Sequence, residues 1–328
     1  MRICIRADGG SNIGMGHIIR TIVLAQEFKN RGNEVFYACK VDKTLSEKYK
    51  AGIEKIKEEG FEVIELNEKS LKNDIRNINA DCIITDSYDV DEEYFDIVKE
   101  SFKVSGCLDD ENICKYFNVD FLINQNPYAE TLNYKVNSCT KMLLGTKYAI
   151  LRDEFRNVKK KNINKYIRDI MITVGGSDNN NLSEKIIKSF KNLKECNIHL
   201  VVGSGFKYKD ELKKYESNNI KLYENVIMSK LMKRCDVAVS SCGSTLYELA
   251  ACGTPTIGIV VADNQVMAAK AMDKLGIIKY ESIENIDKTL KTLTEEKRKQ
   301  MSSIAVKLVD VNGYKNIVNN IQEIFHTI

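Results

Sequence analysis

Short apolar runs alternate with longer segments that carry apolar residues at helical spacing along the whole chain. Ile18, Ile19, Ile22 and Val23 repeat with the period of a helix, and Arg31-Gly32 is a typical end signal for it. The strands predicted in the first half are Ile3–Ile5, Glu34–Ala38, Phe61–Glu65, Cys82–Thr85, Val104–Leu108 and Phe121–Ile123. This alternation predicts an α/β fold, in which helices cover both faces of a parallel sheet.

The same pattern returns after a polar, lysine-rich segment at 156–162, which we interpret as a solvated linker or helix face rather than an anion site, since no aromatic or glycine residues accompany it. Predicted strands follow at Asp169–Val174, Ile198–Val202, Ile220–Tyr223, Val237–Ser240 and Thr256–Val260, with helices beginning at Leu182 and Ser244. We therefore predict two doubly wound, Rossmann-like domains, 1–156 and 157–328. Ligands of such sheets bind beyond the carboxyl ends of the strands, so the loops there should carry the chemistry.

Composition narrows the classes of partner. The chain has 49 Lys and Arg against 46 Asp and Glu, a net charge of +3, which gives no reason to expect nucleic acid. The sequence contains no run of about 18 apolar residues, so it predicts no membrane span. The sequence has ten cysteines but opens on a strand rather than on an apolar signal segment, so we expect a reducing cytoplasm. No two cysteines form a Cys-x-x-Cys pair, so we expect no metal site. The sequence leaves the oligomeric state open.

The first strand leads into a glycine-rich loop, Asp8-Gly9-Gly10-Ser11-Asn12-Ile13-Gly14-Met15-Gly16-His17. Met15 stands where a nucleoside-triphosphate loop needs lysine, and the third glycine of the dinucleotide fingerprint is missing. We expect Gly14 and Gly16 to allow close approach of a substrate at the start of a helix, whose N–H groups favour an anion. His17 lies in the first helical turn, where the helix dipole favours a neutral ring that can accept a proton; the alternative is a histidine that only packs against the loop.

The other two histidines are weaker candidates. His199 lies within a buried strand pattern and is expected to be a core residue, and His326 is the third residue from the end of the sequence.

Two loops of the second half are also suited to an anion. Gly176 and Ser177 follow its first predicted strand, and Gly243, Ser244 and Thr245 form a turn without bulky side chains before a helix. Glu248 shares a helix face with Ser244 and could accept hydrogen bonds from a ribose diol. The alternative is that Ser244 and Thr245 cap the helix and that Glu248 is a surface residue of a capping box.

Taken in order, these residues resemble the UDP-sugar hydrolases of the pseudaminic acid pathway, which are relatives of the spore-coat polysaccharide SpsG proteins and of MurG-like glycosyltransferases. The resemblance covers nearly the whole chain. It rests on Arg6-Ala7-Asp8-Gly9, Ile13-Gly14-Met15-Gly16-His17-Ile18-Ile19-Arg20, Asp86-Ser87-Tyr88, Leu108-Asp109-Asp110, Asn124-Gln125-Asn126, residues 148–155, Gly175-Gly176-Ser177-Asp178, residues 243–248 and Asp263-Asn264-Gln265.

The resemblance implies a GT-B fold with two Rossmann-like domains facing a central cleft that holds a UDP-sugar. It also implies hydrolysis of the anomeric C–O bond, with inversion and without metal or cofactor, to release UDP and a free 2,4-diacetamido-2,4,6-trideoxy sugar for pseudaminic acid or a related surface glycan, as in flagellin glycosylation. His17 would be the base that activates or positions water. Tyr88 and Asn264 would hold the sugar and diphosphate, and Ser244, Thr245 and Glu248 would bind diphosphate and ribose. The family usually has Asp-His-Tyr followed by a small residue, whereas this sequence has Asp86-Ser87-Tyr88-Asp89-Val90. This difference affects the sugar specificity that we expect around Tyr88.

Two other functions fit the same residues. A MurG-like glycosyltransferase in surface polysaccharide synthesis would use the same UDP site and pass the sugar to an acceptor hydroxyl. A binding protein without turnover would use it too, although binding alone would not require a base at His17. Incubation with UDP-sugars and no acceptor distinguishes the hydrolase, since only the hydrolase releases free sugar and UDP.

Overall fold

The computed structural model describes residues 1–10, 13–42, 47–190, 193 and 195–327. The chain forms two compact units. Unit 1 consists of Met1–Arg152 together with Asn312–Ile328, and unit 2 consists of Asp153–Val311.

Unit 1 contains a seven-stranded parallel sheet in the order β3-β2-β1-β4-β5-β6-β7. Its strands are β1 (Arg2–Ala7), β2 (Glu34–Val41), β3 (Glu62–Asn67), β4 (Cys82–Asp86), β5 (Val104–Leu108), β6 (Phe121–Asn124) and β7 (Lys141–Leu144). Its first helices are α1 (Gly16–Asn30), α2 (Glu47–Glu58), α3 (Leu71–Arg76) and α4 (Glu92–Ser101). Alternation along β1 places Ile3 and Ile5 in the core under α1 and Cys4 in the core of the opposite face, so helices cover both faces of the sheet.

Unit 2 contains a six-stranded parallel sheet in the order β10-β9-β8-β11-β12-β13. Its strands are β8 (Asp169–Thr173), β9 (Asn197–Val201), β10 (Ile220–Tyr223), β11 (Val237–Ser241), β12 (Thr256–Ile259) and β13 (Ile278–Tyr280). Its helices are α5 (Leu182–Ser189), α6 (Lys209–Lys213), α7 (Met228–Arg234), α8 (Thr245–Ala251), α9 (Val266–Lys274), α10 (Ile286–Thr292) and α11 (Glu295–Leu308). The predicted doubly wound α/β architecture is therefore present in both units.

The last helix, α12 (Gly313–Thr327), returns to unit 1, whereas the predicted second domain ran to residue 328. Tyr314, Ile317 and Ile321 join the core on the α1 side of the first sheet. Gly313 lies so close to 148–149 that an added Cβ would be 2.4 Å from the backbone of Ala149. Apolar packing therefore sets the division of the chain, which falls at residues 152 and 311.

The lysine-rich segment is only partly the solvated linker that its composition indicated. Lys159 and Lys160 are exposed, but Lys161 is buried in unit 2. Its ammonium donates hydrogen bonds to the carbonyl oxygens of Met232 at 3.1 Å, Lys233 at 2.7 Å and Cys235 at 2.5 Å, at the end of α7. Lys161 therefore satisfies carbonyl groups that the helix leaves without an intrahelical partner.

Two strands were not predicted, β7 and β13. Both are short edge strands, and each has polar or exposed positions that interrupt the apolar run. A fully apolar run marks a strand that is covered on both faces, so the edges of the sheets give a weaker signal than their centres.

No helix in the described part of the chain is long and apolar enough to cross a membrane.

Candidate functional site

In each sheet, two neighbouring strands near the centre lead to connections that run in opposite directions. Unit 1 reverses between β1 and β4, and unit 2 reverses between β8 and β11. The loops that follow such a pair of strands separate and leave a crevice at the carboxyl edge of the sheet, where ligands of open α/β sheets bind. The loop with His17 follows β1, and the segment with Tyr88 follows β4.

The glycine loop is closed by backbone hydrogen bonds. The N–H of Gly10 donates to the carbonyl of Gly14 at 3.1 Å, and the N–H of Gly14 donates back at 2.9 Å. Gly14 has a φ of 82°, which favours glycine, and Gly16 is exposed at the start of α1. A Cβ on Gly10 would lie 1.8 Å from the carbonyl oxygen of Lys48, so this glycine serves packing against α2. Ser11 and Asn12 lie outside the described residues.

His17 is paired with Asp86, the last residue of β4. Its Nδ1 lies 2.6 Å from Oδ1 of Asp86, and the carboxylate is buried. β1 and β4 are neighbours, with Ala7 opposite Asp86, so the end of β4 reaches the start of α1. An ionised carboxylate can only accept hydrogen bonds, so Nδ1 carries a hydrogen, and Nε2 is the ring nitrogen at which a proton can be taken up.

Arg20 keeps Asp86 ionised. Its Nε donates to Oδ2 of Asp86 at 2.6 Å and its Nη2 donates to Oδ1 at 2.6 Å. Burial alone would raise the pKa of Asp86, but the Arg20 guanidinium and His17 together lower it well below its ordinary value. The carboxylate is therefore a fixed negative charge beside the imidazole.

A second carboxylate, Asp110, connects this pair to Tyr88. Oδ2 of Asp110 accepts from Nη1 of Arg20 at 2.7 Å and from the Tyr88 hydroxyl at 2.9 Å. Oδ1 accepts from Nδ2 of Asn126 at 2.7 Å. The ring of Tyr88 stands edge-on to His17, with 4.7 Å between the ring centroids. The carboxyl ends of β1, β4, β5 and β6 thus contribute to one polar network.

The network opens into a cavity of about 300 Å³ within unit 1, lined by His17, Asp86, Tyr88, Asp8 and Lys40 among others. A neighbouring cavity of about 380 Å³ shares Lys40 and Tyr88 with it. His17 therefore meets a space in which a ligand can bind.

The predicted anion-binding residues of unit 2 come together at one edge of its sheet. Gly176 and Ser177 are exposed after β8, Ser244 is exposed with Gly243 and Thr245 half-buried after β11, and Asn264 is exposed after β12. These three strands are adjacent in the order β8-β11-β12.

Two side chains hold these loops in place. Asp178 caps α5, accepting from the N–H groups of Leu182 at 2.7 Å and Ser183 at 2.8 Å. Oε1 of Gln265 accepts from the N–H of Cys242 at 3.2 Å and of Val261 at 3.1 Å, which joins the loops after β11 and β12.

Two predictions about single residues have clear outcomes. Glu248 is buried in α8, so its alternative interpretation as a surface residue is wrong, and the Ser244 side chain makes no capping hydrogen bond. His199 is a core histidine as predicted: it is buried, with Nε2 2.7 Å from Asp169 and Nδ1 2.9 Å from the Tyr223 hydroxyl. In the described part of the chain, no group of three or more His, Cys, Asp or Glu residues is arranged to hold a metal ion.

Sequence reasoning assigned no role to Asp86, Arg20 or Asp110. A signal was present, because Arg20 lies three residues after His17 and therefore on the same helix face. Asp86 and Asp110 follow apolar strand patterns, as residues at a functional sheet edge do. Both carboxylates contact the Arg20 guanidinium because of the strand order, and the strand order cannot be predicted from the spacing of these residues in the sequence.

Comparison with known proteins gives the family context. Residues 169–320 match the glycosyltransferase family 28 C-terminal domain. An uncharacterized protein of Methanocaldococcus jannaschii is 35% identical over 274 residues, which cover 78% of this chain and 55% of that protein. The chain thus spans about half the length of this relative.

A Campylobacter jejuni protein named UDP-2,4-diacetamido-2,4,6-trideoxy-β-L-altropyranose hydrolase is 30% identical over 289 residues, which cover 84% of this chain and 97% of that protein. Acinetobacter baumannii MurG has the same fold, with a TM-score of 0.69 and 15% identity over 98% of this chain and 99% of that chain. The fold is therefore of the GT-B type. By its sequence identity and nearly full coverage of the Campylobacter jejuni protein, the chain belongs to the family that includes this UDP-sugar hydrolase.

Proposed function

We propose that the protein hydrolyses a UDP-2,4-diacetamido-2,4,6-trideoxy-hexose at the anomeric C–O bond. The products are UDP and the free sugar, for pseudaminic acid or a related surface glycan. The observation that carries this proposal is the His17–Asp86 pair at the strand-order reversal of unit 1, with Nε2 available as a base beside a cavity. The name of the Campylobacter jejuni relative supports the choice of substrate.

In the proposed reaction, Nε2 of His17 takes a proton from a water molecule as the water oxygen bonds to the anomeric carbon. The bond from that carbon to the diphosphate oxygen breaks, and its electron pair leaves with UDP. Attack from the face opposite UDP inverts the configuration at this carbon. Asp86 stabilises the imidazolium that forms, and a base in this position typically contributes about 10² to 10⁴ in rate.

Unit 2 is the proposed UDP site. The turn at Gly243, Ser244 and Thr245 offers backbone N–H groups and two hydroxyls to a diphosphate, and the exposed Gly176 and Ser177 lie on the neighbouring strand end. The match of residues 169–320 to a glycosyltransferase domain supports this assignment. We propose that these groups stabilise the departing diphosphate without a metal ion and that Asn264 contacts the substrate at the same sheet edge.

The ten cysteines, all within the described residues, are free thiols, and nine of them are buried. This is compatible with the proposed cytoplasmic site of action, because thiols persist in a reducing compartment.

The test is UDP release from UDP-2,4-diacetamido-2,4,6-trideoxy-β-L-altropyranose without any acceptor, with NMR of the sugar product to identify the anomer first formed. We expect equal amounts of UDP and inverted sugar. His17→Asn should lower turnover by about 10² to 10⁴ while UDP affinity, measured by calorimetry, stays nearly unchanged. His326→Asn is the matched control, since His326 is exposed in the last turn of α12. Wild-type turnover by His17→Asn would overturn the role of the base, and absence of UDP release by the wild type would overturn hydrolysis.

A further inference from the structure

Asp110 is held in one position from several directions. Its carboxylate accepts hydrogen bonds from Arg20, Asn126 and Tyr88, and its backbone carbonyl accepts from the Tyr128 hydroxyl at 2.9 Å. The Asp110 side chain is 14% exposed and forms an ion pair with Arg20. It therefore presents a fixed set of acceptor oxygens to its neighbours.

This arrangement determines the hydrogen-bonding character of Tyr88. A phenol has one hydrogen, and Tyr88 donates it to Oδ2 of Asp110 at 2.9 Å. Burial and the nearby Asp110 charge both raise the pKa of Tyr88, so the phenol stays protonated. With its hydrogen directed to Asp110, the phenol oxygen can offer a ligand only its lone pairs.

The position of Tyr88 places this acceptor near the reacting atoms. Its ring lies edge-on to His17 at 4.7 Å, it lines the same 300 Å³ cavity, and it is 39% exposed. If His17 activates water for the anomeric carbon, the substituent on the adjacent carbon, C2, is the nearest one able to donate a hydrogen bond to Tyr88. An acetamido group at C2 supplies an N–H for that purpose.

We propose that Asp110 is a specificity-determining positioning residue that fixes Tyr88 as a hydrogen-bond acceptor, and that Tyr88 selects UDP-sugars with an N–H at C2. This inference rests on the proposed hydrolysis. It adds the chemical feature by which the sugar is recognised, the N–H at C2, and it assigns Asp110 an effect on substrate choice that acts through Tyr88.

The test compares the UDP-diacetamido sugar with an analogue in which CH₂ replaces the C2 N–H, so that size is nearly kept. We expect the wild type to prefer the N–H substrate by about 10-fold to 100-fold in kcat/KM, the effect of leaving one acceptor unpaired. In Asp110→Ala, the phenol loses the carboxylate that accepts its hydrogen, and the hydrogen can turn toward the ligand. The preference should then fall to about twofold or less.

Two further variants make the result specific. Tyr88→Phe should abolish the preference. The kcat/KM of the N–H substrate should fall more than that of the analogue, mainly because its KM rises. Asp96→Asn removes an exposed carboxylate that accepts from Asn118 at 2.7 Å in the same unit, and it should keep the full preference. A wild type that accepts both substrates equally would overturn the proposal, as would a folded Asp110→Ala or Tyr88→Phe variant that keeps the full preference.

Failure of the proposed hydrolysis would be recognised separately. If the wild type releases no UDP from either compound, the two dissociation constants measured by calorimetry replace the two rates. A preference for the N–H compound that Asp110→Ala removes would still support the role of Asp110, and equal affinities in the wild type would refute it.

Discussion

Replacing Asp86 with asparagine would remove one negative charge and exchange one acceptor oxygen for a donor NH₂ group. In the wild type, Oδ1 accepts from His17 and from Arg20, and Oδ2 accepts from Arg20, all at 2.6 Å. If the amide nitrogen takes the Oδ2 position, it faces the Nε–H of Arg20, and two donors oppose each other. If it takes the Oδ1 position, it opposes the Nη2–H of Arg20 and donates to Nδ1 of His17, and the ring hydrogen moves to Nε2. The second arrangement leaves the imidazole without a free acceptor for water.

Both arrangements weaken the proposed base. Loss of a general base costs about 10² to 10⁴ in rate, and the wrong histidine tautomer in a comparable carboxylate–histidine pair costs about 10⁴. We therefore expect Asp86→Asn to lower kcat by about 10³ to 10⁴ with little change in UDP affinity, because the proposed UDP site is in unit 2.

The assay is steady-state UDP release from the diacetamido substrate, with Asp96→Asn as a matched control that should retain wild-type kcat. Circular dichroism and thermal unfolding establish that each variant is folded. A folded Asp86→Asn variant with kcat within threefold of the wild type would refute the reasoning, since the tautomer of His17 would then not depend on Asp86.

The same substitution should change the pH dependence of stability. The pKa of Asp86 is lower in the folded protein than in the unfolded chain, so the ionised carboxylate stabilises the fold above about pH 4 and this stabilisation is lost as the pH falls. Removing one partner of a buried ion pair costs about 3 kcal/mol or more. We expect the wild type to exceed the variant in free energy of unfolding by about this amount at pH 7, with a smaller difference below about pH 4. A constant difference from pH 7 to pH 3 would contradict the assigned shift.

Two further predictions concern unit 2. Lys161→Met should lower the free energy of unfolding by about 1–3 kcal/mol because the carbonyl groups of Lys233 and Cys235 lose their ammonium donor, while that of Met232 keeps the Thr254 hydroxyl. Lys160→Met, at an exposed neighbour, should be nearly neutral in denaturant titrations, and equal effects of the two substitutions would contradict this prediction. Gly203→Ala would place its Cβ 2.4 Å from the carbonyl oxygen of Gly176 and displace the proposed diphosphate loop. A loss of about 1 kcal/mol of binding energy would weaken UDP about fivefold in calorimetry, and unchanged affinity would argue against a role for Gly176.

The apolar pattern predicted the centres of both sheets but was less informative at their edges. β1 and β11 are buried along nearly their whole length, and their runs are unmistakable in the sequence. β7 and β13 are short and partly polar, so pairing with a neighbouring strand, which is a long-range interaction, decides that they are strands. The same holds for Lys161. The lysine-rich composition of its segment indicates exposure, but its burial depends on carbonyl groups some 70 residues away in sequence.

The sequence by itself determined the fold class, and it predicted the strand ends at which chemistry should lie and His17, among three histidines, as the candidate base. These features follow from local periodicity, glycine-rich turns and the scarcity of histidine, which need no knowledge of distant residues. Only the tertiary structure decided how His17 is supported. Asp86, Arg20 and Asp110 meet because β4 lies beside β1 and β5 beside β4, and strand order depends on the packing of the whole sheet. The charge state of Asp86 and the direction of the Tyr88 hydrogen bond depend on these neighbours, so no local pattern could have predicted them.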